Sequence, residues 1–219
     1  MGSGALQHIY QEIRKQGQLY IDLKFGYMVI FSSLQGNLPI NNTITGSILD
    51  LPVNLKLDYA IIPNTKGNYP VNNRIFGTIG DTEIEVGMSY KMVFSAIAGN
   101  IPVNTGLFWK WNGKEYSLYM PYTLLPAAAR GAMAGAGGGP KKKRISDPKF
   151  KGGKMIEVDE MSGGDNGISQ EAGRPVCTGV IGKIEDVKVD LNFSYTYYCN
   201  TSSGRNPINN RIKGFLSIV

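Results

Sequence analysis

The chain has 219 residues, 42% hydrophobic and 10% aromatic, enough for one large β domain or two small ones with a real core. Only 18% are charged, and 28 Gly with 11 Pro favour turns and strands over long helices. The net charge of +6 is local, because residues 141–154 hold seven basic residues against the single acid Asp147 and the other 16 bases and 16 acids cancel; it is no argument for a nucleic-acid-binding fold.

Residues 5–16 carry the one convincing helical pattern. Leu6, Ile9, Tyr10 and Ile13 make a narrow apolar stripe that Gly17 can end. The stripe is expected to pack on the end of a barrel; the alternatives are an anchor onto a partner chain or a membrane surface. No stretch approaches the ~18 apolar residues of a membrane-spanning helix. Met1-Gly-Ser-Gly-Ala-Leu6 shows neither the apolar core of a signal peptide nor a myristoylation pattern.

Alternation at period two then takes over, the mark of half-buried strands. Leu23, Phe25, Tyr27, Val29 and Phe31 share one face, as do Leu55, Leu57, Tyr59 and Ile61, the weaker set Tyr90, Met92 and Phe94, and Leu191, Phe193, Tyr195 and Tyr197. Each run leads into a proline unit. Gly36-Asn-Leu-Pro39-Ile-Asn-Asn42 and Gly67-Asn-Tyr-Pro70-Val-Asn-Asn73 are joined by Gly99-Asn-Ile-Pro102-Val-Asn104 and Gly204-Arg-Asn-Pro207-Ile-Asn-Asn210. Pro39, Pro70 and Pro102 follow at 31 and 32 residues, so similar hairpins recur. Proline belongs in a connection or at a strand's first residue, and the asparagine pair is expected to fix a turn through its own backbone. Gly46, between Ile44 and Ile48, should be covered by a tyrosine from a neighbouring strand.

Leu107-Phe-Trp109-Lys-Trp111-Asn-Gly113-Lys-Glu115-Tyr116-Ser-Leu118-Tyr119 holds the strongest short hairpin signal, Asn112-Gly113. A two-residue turn sets Trp111 opposite Lys114, Lys110 opposite Glu115 in an ion pair, and Trp109 opposite Tyr116. Trp109, Trp111, Tyr116 and Tyr119 are the candidate platform for a sugar ring or protein partner, with core packing as the competing reading.

Residues 127–175 break the rhythm. A Gly/Ala-rich run leads to Pro140, then Lys141, Lys142, Lys143 and Arg144, and Lys154–Asp159 could form a strand before a second Gly-rich stretch. The segment reads as an extended insertion between two β parts. Its basic run is a candidate polyanion contact, a solvated loop, or a match to a short nuclear-import signal. Gly173-Arg-Pro175-Val-Cys-Thr-Gly179 looks like a shortened fifth copy, and Gly137-Gly-Gly-Pro140 like a degraded sixth; six copies would make two pseudo-halves of three.

Chemistry finds little footing. His8 is the single histidine, with no nucleophile motif beside it, and no His, Cys and carboxylate cluster suggests a metal. Glu83 and Glu85 read as one solvated strand face, and the glycine run lacks the Gly-Lys-Ser/Thr ending of a phosphate loop. Cys177 and Cys199 fall on inward positions by alternation, either as a disulfide or as two reduced thiols.

The sequence thus predicts an all-β antiparallel sandwich or barrel of repeated hairpins, with a short N-terminal helix and a long Gly/Lys-rich insertion. Its parts are residues 1–18 (helix), 19–126 (first β repeats), 127–175 (insertion) and 176–219 (second β repeats, completing one domain). The expected role is non-enzymatic and without cofactor: a structural or assembly subunit of a virion or appendage (tail, fibre or capsid type), homo-oligomeric or docked to protein partners. The alternatives are a glycan- or receptor-binding β domain using the tryptophan hairpin, and a membrane-active cytolysin.

Overall fold

The computed structural model describes residues 4–32, 34–95, 98–126, 142–146, 155–159, 173–200 and 202–219. Helix α1 (Gly4–Gln16) precedes strands β1 (Gln18–Ser32), β2 (Gly36–Ile48), β3 (Leu51–Ile62), β4 (Tyr69–Ile79), β5 (Thr82–Ser95) and β6 (Gly99–Trp111). There follow β7 (Lys114–Tyr119), β8 (Tyr122–Pro126), the separate pair β9 (Lys142–Ser146) and β10 (Met155–Asp159), and β11 (Gly173–Cys177), β12 (Gly179–Ile184), β13 (Val187–Asn200) and β14 (Gly204–Ile218). Ten strands close an antiparallel barrel in the order β1-β14-β13-β12-β7-β6-β5-β4-β3-β2. Of the two architectures the sequence allows, this is the barrel.

Five hairpins of one design make the wall. Four are β1–β2, β3–β4, β5–β6 and β13–β14. In the remaining one each strand is interrupted: β7 runs on into β8, β11 into β12, and β8 pairs with β11. In sequence, residues 127–172 separate β8 from β11, where residues 33–35 separate β1 from β2. The fifth copy therefore starts at Gly173, inside the segment that composition assigns to the insertion. The degraded copy at Pro140 lies outside the described residues; the ten barrel strands come from five units.

A bulge divides each complete hairpin. Register shifts fall between Gly26 and Tyr27, Asp58 and Tyr59, Ser89 and Tyr90, and Ser194 and Tyr195. In each case the extra residue lies on the proline-bearing strand, at Asn42, Asn73, Thr105 and Asn210, and the hairpin bends away from the barrel wall there. Leu19, Ile21 and Leu23 are buried, whereas Tyr27, Val29 and Phe31 on the same strand are exposed. The single continuous face expected along β1, β3, β5 and β13 is thus corrected: it is buried before the bulge and exposed after it. The interrupted unit shows the same register, with Tyr122 opposite Cys177 as Tyr27 is opposite Asn41. All five units therefore place a tyrosine at this position.

Before the bulge, neighbouring hairpins zip together, β1 against β14 over Gln18–Lys24 and β2 against β3 over Thr43–Ile48. This body holds the main core, including Ile21, Val53, Leu57 and Ile212. Its outer wall is charged and solvated, with Arg74 Nε 3.0 Å from Asp58 and Arg211 bonded to both oxygens of Asp22 at 2.7 and 2.6 Å. Past the bulge each hairpin pairs only within itself, and five arms form a head around the barrel axis. The proline-bearing strands line the inside of that head. They carry a free edge there, which is why proline is tolerated inside them rather than only in a connection.

The arms are tied by a closed ring of side chains. Asn41 Nδ2 donates to Asn209 O (2.9 Å), Asn209 to Cys177 O (2.8 Å), Cys177 Sγ to Asn104 O (3.4 Å), Asn104 to Asn72 O (2.7 Å), and Asn72 back to Asn41 O (2.8 Å). Each asparagine also donates to a carbonyl at the bulge of its own hairpin: Gly26, Asp58, Ser89 or Ser194. These residues sit in strands, and none has positive φ, so the asparagines do not fix a turn as expected. They replace the ladder that the splayed arms lack.

The glycine expectation is also corrected. A Cβ on Gly77 would lie 2.2 Å from Asn54 O, and one on Gly214 2.1 Å from Asp190 O; at Gly46 the nearest atom is a Leu23 methyl. Neighbouring strands, not tyrosine rings, occupy the space. Helix α1 closes the body end with Ala5, Ile9 and Ile13 buried, while Leu6 faces solvent. Ala5 N donates to Thr82 Oγ1, and Asp186 accepts from the Tyr10 hydroxyl and meets Arg14 at 3.3 Å. Apart from Leu6, the apolar stripe of the helix is thus packed on the protein's own barrel.

Candidate functional site

Two surfaces stand out: the tip of the β6–β7 hairpin and the outer face of the head. The hairpin has the register that Asn112-Gly113 predicts, Trp111 opposite Lys114, Lys110 opposite Glu115, and Trp109 opposite Tyr116. Asn112 (φ 49°) and Gly113 (φ 77°) both take the left-handed backbone of such a turn. Trp109 and Tyr116 stack at 5.5 Å with planes 9° apart, and Trp111 tilts against Tyr116 at 6.3 Å. Trp109 packs against the core while Trp111 is 53% exposed. Tyr119 does not join them. Its strand position has the opposite parity to Tyr116, and it lines a separate recess with Lys91 and Tyr122.

The expected Lys110–Glu115 ion pair is not among those the described residues form. Lys114 instead meets Glu185 at 2.8 Å, and Tyr116 donates to the same carboxylate, fastening the hairpin to the neighbouring turn. These donors hold the Glu185 carboxyl below the usual carboxylate range, the Lys114 bond contributing most. Beside the hairpin runs an open groove of about 610 Å³, where Phe108, Trp109 and Tyr116 meet Arg74, Glu85 and Glu115. Sequence reasoning missed Phe108, which is 53% exposed. Its signal was Gly87 directly across the strand pair, whose absent side chain makes room for the ring.

On the head, the outward residues after each bulge are apolar and occupy equivalent positions. They are Tyr27, Val29 and Phe31 in the first arm, Tyr59 and Ile61 in the second, and Tyr90, Met92 and Phe94 in the third, all exposed. Tyr197 continues the row on β13, and Tyr198 meets Tyr27 edge-on at 6.4 Å between two arms. Phe31 at 77% and Phe94 at 63% are among the most exposed large apolar side chains.

Comparison with family models, with curated proteins and with solved structures returns no match.

The remaining sequence-derived residues fall apart. Cys177 is buried in the asparagine ring and Cys199 is exposed beyond the β13 bulge; both are free thiols. Past the bulge the β13–β14 arm leaves the barrel wall, so Cys199 is exposed although alternation gave it an inward position. Burial pushes the Cys177 thiol up to about 12, which suits a hydrogen-bond donor rather than a nucleophile. Lys142, Lys143 and Arg144 lie in β9, with Asp159 opposite Lys142 and Glu157 opposite Arg144, while Lys141 is outside the described residues. His8 is exposed on α1, and Glu83 and Glu85 are exposed, Glu85 meeting Arg74 at 3.2 Å.

Proposed function

We propose that the protein is a non-enzymatic assembly subunit, of the kind found in a virion or extracellular appendage, and that its head is the docking surface. The observation that carries this is the repetition of exposed apolar rows at equivalent positions of the arms. An isolated exposed leucine needs no explanation, but a contiguous apolar band does. Here exposed rows recur on four of the five arms about the pseudo-five-fold axis, with Tyr122 and Leu124 of the interrupted arm half-buried, so the surface complements a second head or a ring of equivalent subunits about the same axis. The body wall carries the ion pairs of Arg74 and Arg211, and the head is where exposed apolar residues recur from arm to arm, which makes it the side that docks.

Replacing both Phe31 and Phe94 by Asp tests the reading. Both side chains are largely solvated in the isolated chain, so the thermal midpoint should shift by no more than about 3 °C. Sedimentation velocity and native mass spectrometry should show wild type associating as concentration rises and the double variant remaining monomeric. A wild type that stays monomeric at the highest attainable concentration, or a double variant that associates equally, would count against it.

A second reading is supported by the groove beside Phe108 and Trp109. Aromatic faces flanked by Arg74, Glu85 and Glu115 suit a sugar ring, which needs an apolar platform and polar edges. Phe108→Ala should abolish glycan-array binding while preserving the thermal midpoint within a few degrees. An array with no wild-type signal removes this reading and leaves the assembly role intact.

A further inference from the structure

The five-fold pattern fails at one layer of the head, and the failure has chemical content. The residues immediately before the ring prolines are Leu38, Tyr69, Ile101, Arg174 and Asn206, all buried around an axial cavity of about 120 Å³. Three of the related units carry Leu38, Tyr69 and Ile101 there and one the neutral Asn206, so the charged guanidinium is the exception. Arg174 is 6% exposed. Its Nη2 donates to Ser203 O at 2.9 Å, but its Nε meets no acceptor, and neither does the Tyr69 hydroxyl. Among the described residues no carboxylate pairs with it. Burial pushes the Arg174 pKa down, and among the described residues the nearby Tyr69 hydroxyl offsets this in part. Arginine nevertheless stays charged in proteins. A buried cation without a counter-charge is strongly disfavoured unless something supplies one.

We propose that the axial cavity of the head is a binding site for a small oxyanion, held by the Arg174 guanidinium and the Tyr69 hydroxyl. The guanidinium fork bonds two oxygens of one planar or tetrahedral anion, and a phenol adds a third donor. The cavity limits the ligand to one compact group, such as free phosphate or a single carboxylate. Leu38 and Ile101 supply the low-polarity wall against which such a pair is strong. The arm that carries the insertion also carries Arg174, two residues after residue 172, so the anion would lock the inserted unit to the β4 arm across the axis.

Thermal denaturation and calorimetry of the full chain, with phosphate and with acetate against chloride at matched ionic strength, test this. In wild type the midpoint should rise saturably with phosphate, with acetate, or with both, relative to chloride. A rise with phosphate alone identifies a free tetrahedral anion, and a rise with acetate identifies a carboxylate group. Arg174→Met should erase the response, and its midpoint in chloride should equal or exceed that of wild type because an uncompensated charge has gone. Tyr69→Phe should weaken binding about tenfold, the effect of one hydrogen bond to a charged group. Should Arg174→Met fail to fold, Arg174→Lys decides, because it keeps the charge, loses the fork and should respond more weakly. Identical wild-type midpoints in all three salts, or a full response in Arg174→Met or Arg174→Lys, would overturn the site.

Discussion

Asn72→Ala is expected to destabilise the protein by about 3 kcal/mol, while Asn73→Ala, one residue on, changes stability by less than about 0.5 kcal/mol. The two residues look equivalent in every Pro-x-Asn-Asn unit, yet only the first is buried and donates to the neighbouring arm. Asn72 Nδ2 donates to Asn41 O at 2.8 Å and to Asp58 O at 3.2 Å. Its loss removes both bonds and leaves two carbonyls in the head without that donor. Each bond is worth about 1 kcal/mol net, and an orphaned buried carbonyl adds a further penalty of about 1–3 kcal/mol. Asn73 is exposed and makes no such bond. Urea unfolding of both variants measures the difference directly. Equal midpoints for the two would mean that the arms are held by something other than this ring.

Gly77→Ala should be at least as damaging, by about 4 kcal/mol, a large share of the 5–15 kcal/mol that domains possess. Gly77 combines φ of +139° with a Cβ position 2.2 Å from Asn54 O and 3.0 Å from Leu55 Cα. The conformation alone costs an L residue about 1–3 kcal/mol, and forcing two strands apart costs a comparable amount. Strand β3 cannot yield, because Leu55 and Leu57 on it are core residues. Gly113→Ala is the matched control, with φ of +77° and nothing within 4 Å of the new methyl. It should lose only about 1 kcal/mol, the left-handed cost without the clash. Thermal and chemical denaturation of the pair separate the two contributions. A mild Gly77→Ala would show that the neighbouring strand can slide.

Both substitutions probe how five hairpins that zip together below the bulge are kept in register above it. In the body, backbone ladders and the core around Ile21 and Ile212 suffice. In the head, neighbouring arms meet through inner strands, the asparagine ring and scattered side-chain contacts such as Tyr27–Tyr198 and Asn64 with Asn100 O, so the ring side chains also set the width of the axial cavity. Cys177 occupies the place of the fifth asparagine and gives that link its longest bond, 3.4 Å. The weakest link of the ring thus lies in the unit that carries both the insertion and Arg174.

Repetition, strand periodicity and the Asn112-Gly113 turn depend on local backbone preferences and on burial every second residue. The amino-acid order therefore determined by itself the all-β class, the repeated hairpins, the N-terminal helix and the register of the tryptophan hairpin. The bulges were hidden, because the extra residue lies on the proline-bearing strand and leaves the alternation of Tyr27, Val29 and Phe31 intact while the arm departs from the barrel wall. The same departure exposed Cys199 and made the apolar rows a surface. Closure was equally invisible: whether five units make a barrel, and whether Asn72 bonds its own turn or the next arm, depends on which chains lie beside it in space. Only the tertiary structure decided these, since a side-chain amide finds its partner by distance, and its partner here lies some 30 residues away in sequence or, where the ring closes, 168.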